Sequence, residues 1–520
     1  MPKLRPHRGT ALAVTVLGAL ALTVGASLAS SGGLAFHGCI ASAAAHGCTA
    51  PAHDSLTNAQ DVAVSPDGKS VYVVSGDFSS GAITRFSRAA DGSLTYEDCI
   101  ADAGANGCAA PAHDSLGSPA AVAISADGTS VYVAAYAGDS ITRFSRAADG
   151  SLTYEDCIAN GGFTGCVDPP NEALGGAYGV AVSRDDKSVY VVSGFSSSSS
   201  ISRFDRAADG SLTYEDCIAN GGQNGCTAAG HDSLEGAEGV AVSRDGNSVY
   251  VASPLAGSIT RFNRAADGSL TYEDCIADAG ANGCVVPAHD SLAGAAGVTV
   301  SPNGNSVYVA SGADAISRLN RAADGSLTYE DCIANAGKHG CTAPGHNSLG
   351  AAASIAVSAD KKSLYVASVT GNSISRFDRA ADGSLTHEDC VADAGQHGCT
   401  TPAHNSLDGA IGVAVSPDSQ SVYAASANAN SITAFETPPK TRLNSAKIKS
   451  VKRSATFKFS SNEAGSSFLC KLDHKPYGPC HTPRTYKHLK KGKHTFKVEA
   501  KSSAGGIDPS PAKKKFRIKG

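Results

Sequence analysis

The stretch Val62-Ala63-Val64-Ser65-Pro66-Asp67-Gly68-Lys69-Ser70-Val71-Tyr72-Val73-Val74-Ser75 decides the fold. Two short apolar runs flank a polar break, and its Asp-Gly pair suits a tight hairpin. The runs are apolar at consecutive positions, as expected for a sheet covered on both faces. Counted from Ser65, the segment returns in phase at Ser125, Ser183, Ser243, Ser301, Ser358 and Ser416. Steps of 57 to 60 residues indicate a solenoid, a propeller or an array.

Each unit holds four strand-type runs. In the second they are Ala121 to Ser125, Ser130 to Ala135, Ile141 to Ser145 and Ser151 to Ile158. The last two are also split by an Asp-Gly turn, so neighbouring strands pair antiparallel. Four-stranded units packed face to face in a ring make an all-β propeller. The seventh copy ends at Phe435 without its fourth strand, while Gly33 to Ile40 aligns with Gly92 to Ile100 and precedes the first copy. The expected fold is therefore a seven-bladed β-propeller over residues 31–437, its last blade completed by the N-terminal strand, which leaves no open sheet end.

The V-S-x-D-G-x-x-[VL]-Y-V pattern resembles the YVTN-type repeats of bacterial propellers. RF-x-R-x-x-D-G-x-L is similar to the repeat of seven-bladed lactonases of the 6-phosphogluconolactonase type. These are scaffold residues, so the resemblance implies fold, with lactone hydrolysis as the activity it suggests. The chain departs from that family in carrying a C-x8-C loop in every blade and nearly identical units. It contains no Trp, unlike propellers built on a Trp-Asp dipeptide.

Residues 1–29 read as a secretory signal peptide: Lys3, Arg5 and Arg8, then the apolar run Ala11 to Ala26, then small residues. The other reading is an uncleaved anchor, though the run is shorter than the roughly 20 residues of a spanning helix. The expected location is secreted, extracellular or periplasmic, with no span after cleavage. The 16 cysteines fall in pairs: Cys39/Cys48, Cys99/Cys108, Cys157/Cys166, Cys217/Cys226, Cys275/Cys284, Cys332/Cys341, Cys390/Cys399 and Cys470/Cys480. An even count at short repeated spacing in an exported chain predicts local disulfides. Zinc sites more often show C-x2–4-C.

The formal charge of −5 is a sum of opposites. Residues 438–520 hold 21 basic and 4 acidic side chains, a surplus of +17, whereas residues 31–437 hold 19 basic and 44 acidic, a balance of −25. After a linker at 438–445, residues 446–520 alternate apolar and basic residues, as in Thr456-Phe457-Lys458-Phe459, which predicts a small β-sandwich with a basic exterior. The run Phe468 to Ala512 resembles the Ig-like modules at the C-termini of many secreted bacterial proteins. A module this basic could hold an anionic cell-envelope polymer, an acidic surface or the acidic propeller, or simply keep a solvated face. Nucleic acid ranks lowest, for want of aromatics among the charges.

Five residues after each second propeller cysteine stand His53, His113, Asn171, His231, His289, His346 and His404, each followed by an acid or amide. Such connections lie on one face, so a ring at the channel mouth could bind a divalent metal or a phosphorylated or carboxylated ligand. The competing reading is a turn whose Asp or Asn caps backbone NH groups while Leu56 and its copies plug the blade interface. Too few oxygens are present in the cysteine loops for calcium. The glycine before each second cysteine, such as Gly107, is expected at positive φ. Arg85 and Arg88 with Glu97 and Asp98 read as a cross-strand charge ladder, and 12 of the 16 tyrosines occupy two repeat positions as packing residues.

No nucleophile–base pair, phosphate loop or G-x-S-x-G is present, and no cofactor is predicted. The leading expectation is a monomeric, non-catalytic binding propeller, taking a protein partner or small-molecule ligand on its loop face and attached by its basic module. A hydrolase acting on a sugar lactone is the alternative, carried by the family resemblance.

Overall fold

In the computed structural model the first hairpin turn closes through its own side chains. Ser65 Oγ donates to Asp67 Oδ1 at 2.5 Å, Asp67 Oδ1 accepts the Lys69 NH at 3.1 Å, and Gly68 takes a φ of 69°. The structure describes residues 33–519 except 78–79, 195–198, 462, 464, 503–505 and 509–510. The expected signal peptide lies outside the described residues.

The turn joins Ala59–Val64 to Ser70–Asp77, and Ser80–Arg88 and Leu94–Ala101 complete an antiparallel four-stranded sheet. Six further sheets repeat this order, the third with an added strand Thr227–Ala228. The seventh is built from Ala410–Val415, Ser421–Ser426 and Ser431–Glu436, with the N-terminal strand Ala35–Ala41 paired antiparallel to Ser431–Glu436. Each innermost strand touches that of the next sheet, and the first touches the seventh.

Between blades the packing is apolar. Leu56, Leu116, Leu174, Leu234, Leu292, Leu349 and Leu407 are fully buried, as are the second-strand tyrosines that begin with Tyr72. A polar clamp recurs at six of the seven junctions; between the sixth and seventh blades Thr437 stands where the others carry the arginine. Arg146 Nε donates to Tyr72 Oη of the preceding blade at 2.8 Å, its Nη2 meets Asp67 at 3.0 Å, and Tyr72 Oη donates to Gly150 O at 2.6 Å. A Cβ on Gly150 would stand 2.1 Å from Ser70 Oγ, so the clamp needs glycine there. This corrects the reading of Arg88 as part of a cross-strand ladder. Arg85 does pair with Asp98 across the strands at 2.6 Å, whereas Arg88 reaches the neighbouring blade.

All eight expected disulfides are formed. In the propeller, Cys39–Cys48, Cys99–Cys108, Cys157–Cys166, Cys217–Cys226, Cys275–Cys284, Cys332–Cys341 and Cys390–Cys399 join Cα atoms 4.8 to 5.0 Å apart. Cys470–Cys480 spans 5.8 Å in the C-terminal unit. The first cysteine of each propeller pair sits in the outermost strand of its blade. Cys48, Cys108, Cys166, Cys226, Cys284, Cys341 and Cys399 lie outside that strand, each directly after a short 3-10 turn, and all seven are buried. The loop thus turns the chain back so that the residue after the second cysteine forms a parallel bridge to the outermost strand, as in Ile100 with Ala109. The edge strand thereby gains a pinned partner on its open side.

The chain after the propeller forms two sheets. One contains Thr441–Lys449, Ser454–Ser461 and Arg484–Tyr486; the other contains Gly478–Cys480, Ser467–Leu472, Gly492–Lys501 and Ala512–Ile518. They pack face to face around Phe457 and Phe496, whose rings stack at 4.0 Å. The first of these strands begins at Thr441, inside the segment expected as linker, and Ser502 Oγ donates to Glu436 Oε2 of the propeller at 3.1 Å.

Candidate functional site

The repeated histidines do not gather at the channel. His53, His113, His231 and His289 lie edge-on or tilted to the outer-strand rings of Tyr96, Tyr154, Tyr272 and Tyr329, with centroids 6.0 to 6.2 Å apart. His346 meets His387 and His404 meets Phe36 in the same way. Each side chain also covers the glycine of a cysteine loop: a Cβ on Gly107 would stand 2.8 Å from His53 Nδ1, and Asn171 takes this place beside Gly225. These glycines have the expected positive φ, 81° at Gly107.

The residue after the histidine serves as a cap. Asp54 Oδ1 accepts the Ala43 NH at 2.7 Å and Asp114 Oδ1 accepts the Ala103 NH at 2.6 Å. In return the first loop residue accepts the leucine NH, as Asp102 does from Leu116 and Asn160 from Leu174 at 3.1 Å. Loop and crossover thus cap one another at the outer part of the face.

The cysteines belong to this scaffold. Cys48, Cys108, Cys166, Cys226, Cys284, Cys341 and Cys399 are each oxidised to the strand cysteine of their own blade, so they offer no thiolate, and none lines the central channel. Among the described residues no three His, Cys, Asp or Glu side chains are placed to hold a metal.

The place where the seven units differ is the wall of the central channel. At the bulge position of six innermost strands stand Gln60, Ala120, Tyr178, Ala296, Ala353 and Ile411, and Glu238 holds the matching place just before the fourth, Gly239–Val242; the next residues are Asp61, Ala121, Gly179, Gly239, Gly297, Ser354 and Gly412. In the first and third sheets, the register shifts between Ala59 and Asp61 and between Ala177 and Gly179 leave Gln60 and Tyr178 unpaired. A bulge re-aims a side chain, here into a cavity of about 290 Å³ lined by all seven innermost strands. The glycines after the bulge are set by the neighbouring backbone: a Cβ on Gly239 would come 2.2 Å from Ala296 O. Asp61 instead bridges the gap, with Oδ2 accepting the Val122 NH at 3.0 Å.

Two carboxyls are therefore confined in the channel. Burial pushes Asp61 up to about 6 despite its backbone hydrogen bonds, and pushes Glu238 up to about 7 with no compensating bond. No Lys or Arg offsets either shift. Tyr178 lies in the field of both, and burial followed by those charges raises its hydroxyl far above the ordinary phenol range. Tyr136, in the turn after Ser130–Ala135 of the preceding blade, meets Tyr178 edge-on at 6.2 Å. Two of the four tyrosines outside the repeat positions thus meet at one site, a pairing that sequence reasoning missed. The available signal was the departure of Gln60-Asp61, Tyr178 and Glu238 from small residues at matched repeat positions.

A second asymmetry lies at the closing seam. Gly38 and Ala434 face each other where other blades carry an Asp–Arg pair, and an open groove of about 550 Å³ lies there between His37, Gly38, Thr95 and Tyr96.

No curated protein matches the chain. A Bacteroides uniformis protein described as a candidate 6-phosphogluconolactonase is similar, with 19% identity over 64% of this chain and 84% of that one, at a TM-score of 0.46. The Pseudomonas aeruginosa periplasmic gluconolactonase PpgL shares 16% identity over 66% and 86% at 0.45, and a Lactobacillus plantarum protein 18% over 67% and 86% at 0.47. The resemblance carried by the repeat motifs is matched directly over the first two units: residues 47–172 fit the family described as Lactonase, 7-bladed beta-propeller.

Proposed function

We propose that the protein is an exported binding propeller that takes a small amine-bearing ligand in its channel and is attached through its basic C-terminal sheets. The observation that carries the reading is Glu238. Its carboxyl has no hydrogen-bond partner among those described, stands in the channel wall beside Tyr178, and is held near pH 7 between its charged and neutral forms by burial alone. Two buried carboxyls whose shifts no Lys or Arg offsets are complemented by a cation, whose attraction offsets the hydration lost on burial. Aromatic faces beside the carboxyls add attraction for an ammonium group. The cavity volume suits a ligand smaller than most drugs. Eight disulfides without a free cysteine among the described residues support an oxidising compartment. Among those residues no helix is long and apolar enough to cross a membrane.

A second reading, hydrolysis of a sugar lactone, is favoured by the family match at residues 47–172 and by a carboxyl whose pKa lies near neutrality, as a general base requires. A thermal-shift panel of choline, spermidine, lysine and glucose, with turnover of glucono-δ-lactone measured in parallel, separates the two. Stabilisation by amines and not by glucose, without turnover, supports binding. Lactone turnover lost in Glu238→Gln would establish the second reading.

A further inference from the structure

We infer that the outer face of the sheet Gly478–Cys480, Ser467–Leu472, Gly492–Lys501 and Ala512–Ile518 is a docking surface for a linear polymer of repeating phosphate groups. The inference rests on the proposed attachment role of the C-terminal unit and names its surface and partner chemistry.

Strand alternation fixes which residues share the face. His494, Phe496, Val498 and Ala500 are buried, so the odd-numbered positions between them point outward. The register then sets Lys471 opposite Lys497 and Lys497 opposite Lys513, making a row of three lysines across three strands. One step along, Thr495 faces Lys515, and one further Lys493 faces Arg517. Adjacent strands run about 4.8 Å apart, so the rows place like charges side by side, an arrangement that costs stability unless an anion neutralises it. Internal neutralisation is partial. Glu499, the single carboxylate on these stretches of the face, lies in the field of Lys471 and Lys497, and with Lys501, outward by the same alternation, the face holds seven cations, none of them in the ion pairs described for this unit, Lys440–Asp360 and His494–Asp473.

The chemistry of the face selects among polyanions. Six of its seven cations are lysines, point charges on flexible stems that follow a chain of phosphates without demanding bidentate geometry. The outward positions of Gly492–Lys501 and Ala512–Ile518 carry no aromatic side chain on which a base could stack, and the ring of Tyr477 at the sheet's edge is covered by Lys471 Nζ at 5.2 Å, which disfavours single-stranded nucleic acid. The acidic rim of a second propeller is a weaker occupant, because Asp98, Asp156, Asp216, Asp274, Asp331 and Asp389 are already engaged by the arginines of their own blades.

The test uses the full chain and long-chain inorganic polyphosphate as the probe. Binding is expected to weaken steeply with salt, and Lys497→Glu/Lys513→Glu/Lys515→Glu is expected to lose about tenfold or more in affinity at ~100 mM salt. Lys447→Glu/Lys449→Glu/Lys458→Glu, on the opposite sheet, carries the same change in net charge and is expected to change affinity little. Equal losses in both variants, or no loss in the first, would overturn the assignment. Tighter binding of poly(dT) than of polyphosphate would make the face a nucleic-acid surface, and salt-sensitive self-association that excludes polyphosphate would make a second propeller the occupant. Glu238→Gln should retain polyphosphate binding, so failure of the channel reading and failure of this one are read separately.

Discussion

Arg88 and Tyr423 stand 335 positions apart in sequence, yet Arg88 Nε donates to Tyr423 Oη at 2.8 Å. The same guanidinium pairs with Asp418 at 2.8 Å, and Tyr423 Oη donates to Gly92 O at 2.8 Å. The contact repeats the clamp found between sequential blades, as between Arg264 and Tyr190 at 2.7 Å. The first and seventh blades are thus joined by the bonds that join blades one to six in sequence. Tyr423→Phe removes the hydroxyl from a buried site and leaves Arg88 Nε and Gly92 O without it, at an expected cost of about 1–3 kcal/mol. Tyr190→Phe should cost the same. Urea midpoints compare the two; a much larger loss at Tyr423 would mean that the seam carries strain absent from other junctions.

The disulfide loops pin the outer edge of each blade. Each closes about ten residues, for which the chain-entropy model gives about 2–3 kcal/mol. Cys99→Ser/Cys108→Ser should lower stability by that amount, and amide exchange at Leu94–Ala101 should rise, because the bridge from Ile100 to Ala109 loses its anchor. Unchanged exchange would show that the parallel bridge stands without the disulfide.

Where a cysteine loop begins with an aspartate, that residue sets a pH dependence. Asp102 and Asp393 are both pushed up to about 6, chiefly by burial. A carboxyl whose folded pKa is raised binds its proton more tightly in the folded state. Its favourable contribution is therefore present below the unfolded pKa of about 4 and is lost as pH rises through about 6. Asn160 fills the same place and accepts the Leu174 NH at 3.1 Å. Asp102→Asn should therefore keep the bond and stabilise the protein at pH 7.5 by on the order of 1–2 kcal/mol, discounted for partial solvation, with most of the gain gone at pH 4.5. A destabilised variant at pH 7.5 would mean that the ionised form gains a compensating contact.

What the sequence made legible follows from what it repeats. The hairpin turns and the cysteine pairing recur in register, and the missing fourth strand of the seventh copy stands out against that repeat, so periodicity exposes the blade count and the strand exchange at residues 35–41 as well. Arg88 was misread because spacing along a hairpin shows only the partner on the next strand, while its partners Tyr423 and Asp418 belong to another blade. The six repeated histidines recur with the scaffold, each packing on an outer-strand ring. The channel residues escaped notice for the opposite reason. Asp61, Tyr178 and Glu238 are single departures in different copies, and only ring closure brings residues from blades one, three and four to one cavity.

The channel reading makes a signed pH prediction. A cationic ligand favours ionised carboxyls, so binding should draw protons off Glu238 and Asp61, whose folded values stand at about 7 and about 6. The most direct measurement is calorimetric titration of the amine selected by the thermal-shift panel, at pH 5.5 and pH 8, against the native chain and Glu238→Gln. The account predicts affinity at least about tenfold higher at pH 8, with proton release at intermediate pH, and loss of most of both effects in the variant. Affinity independent of pH, or unchanged in Glu238→Gln, would contradict it.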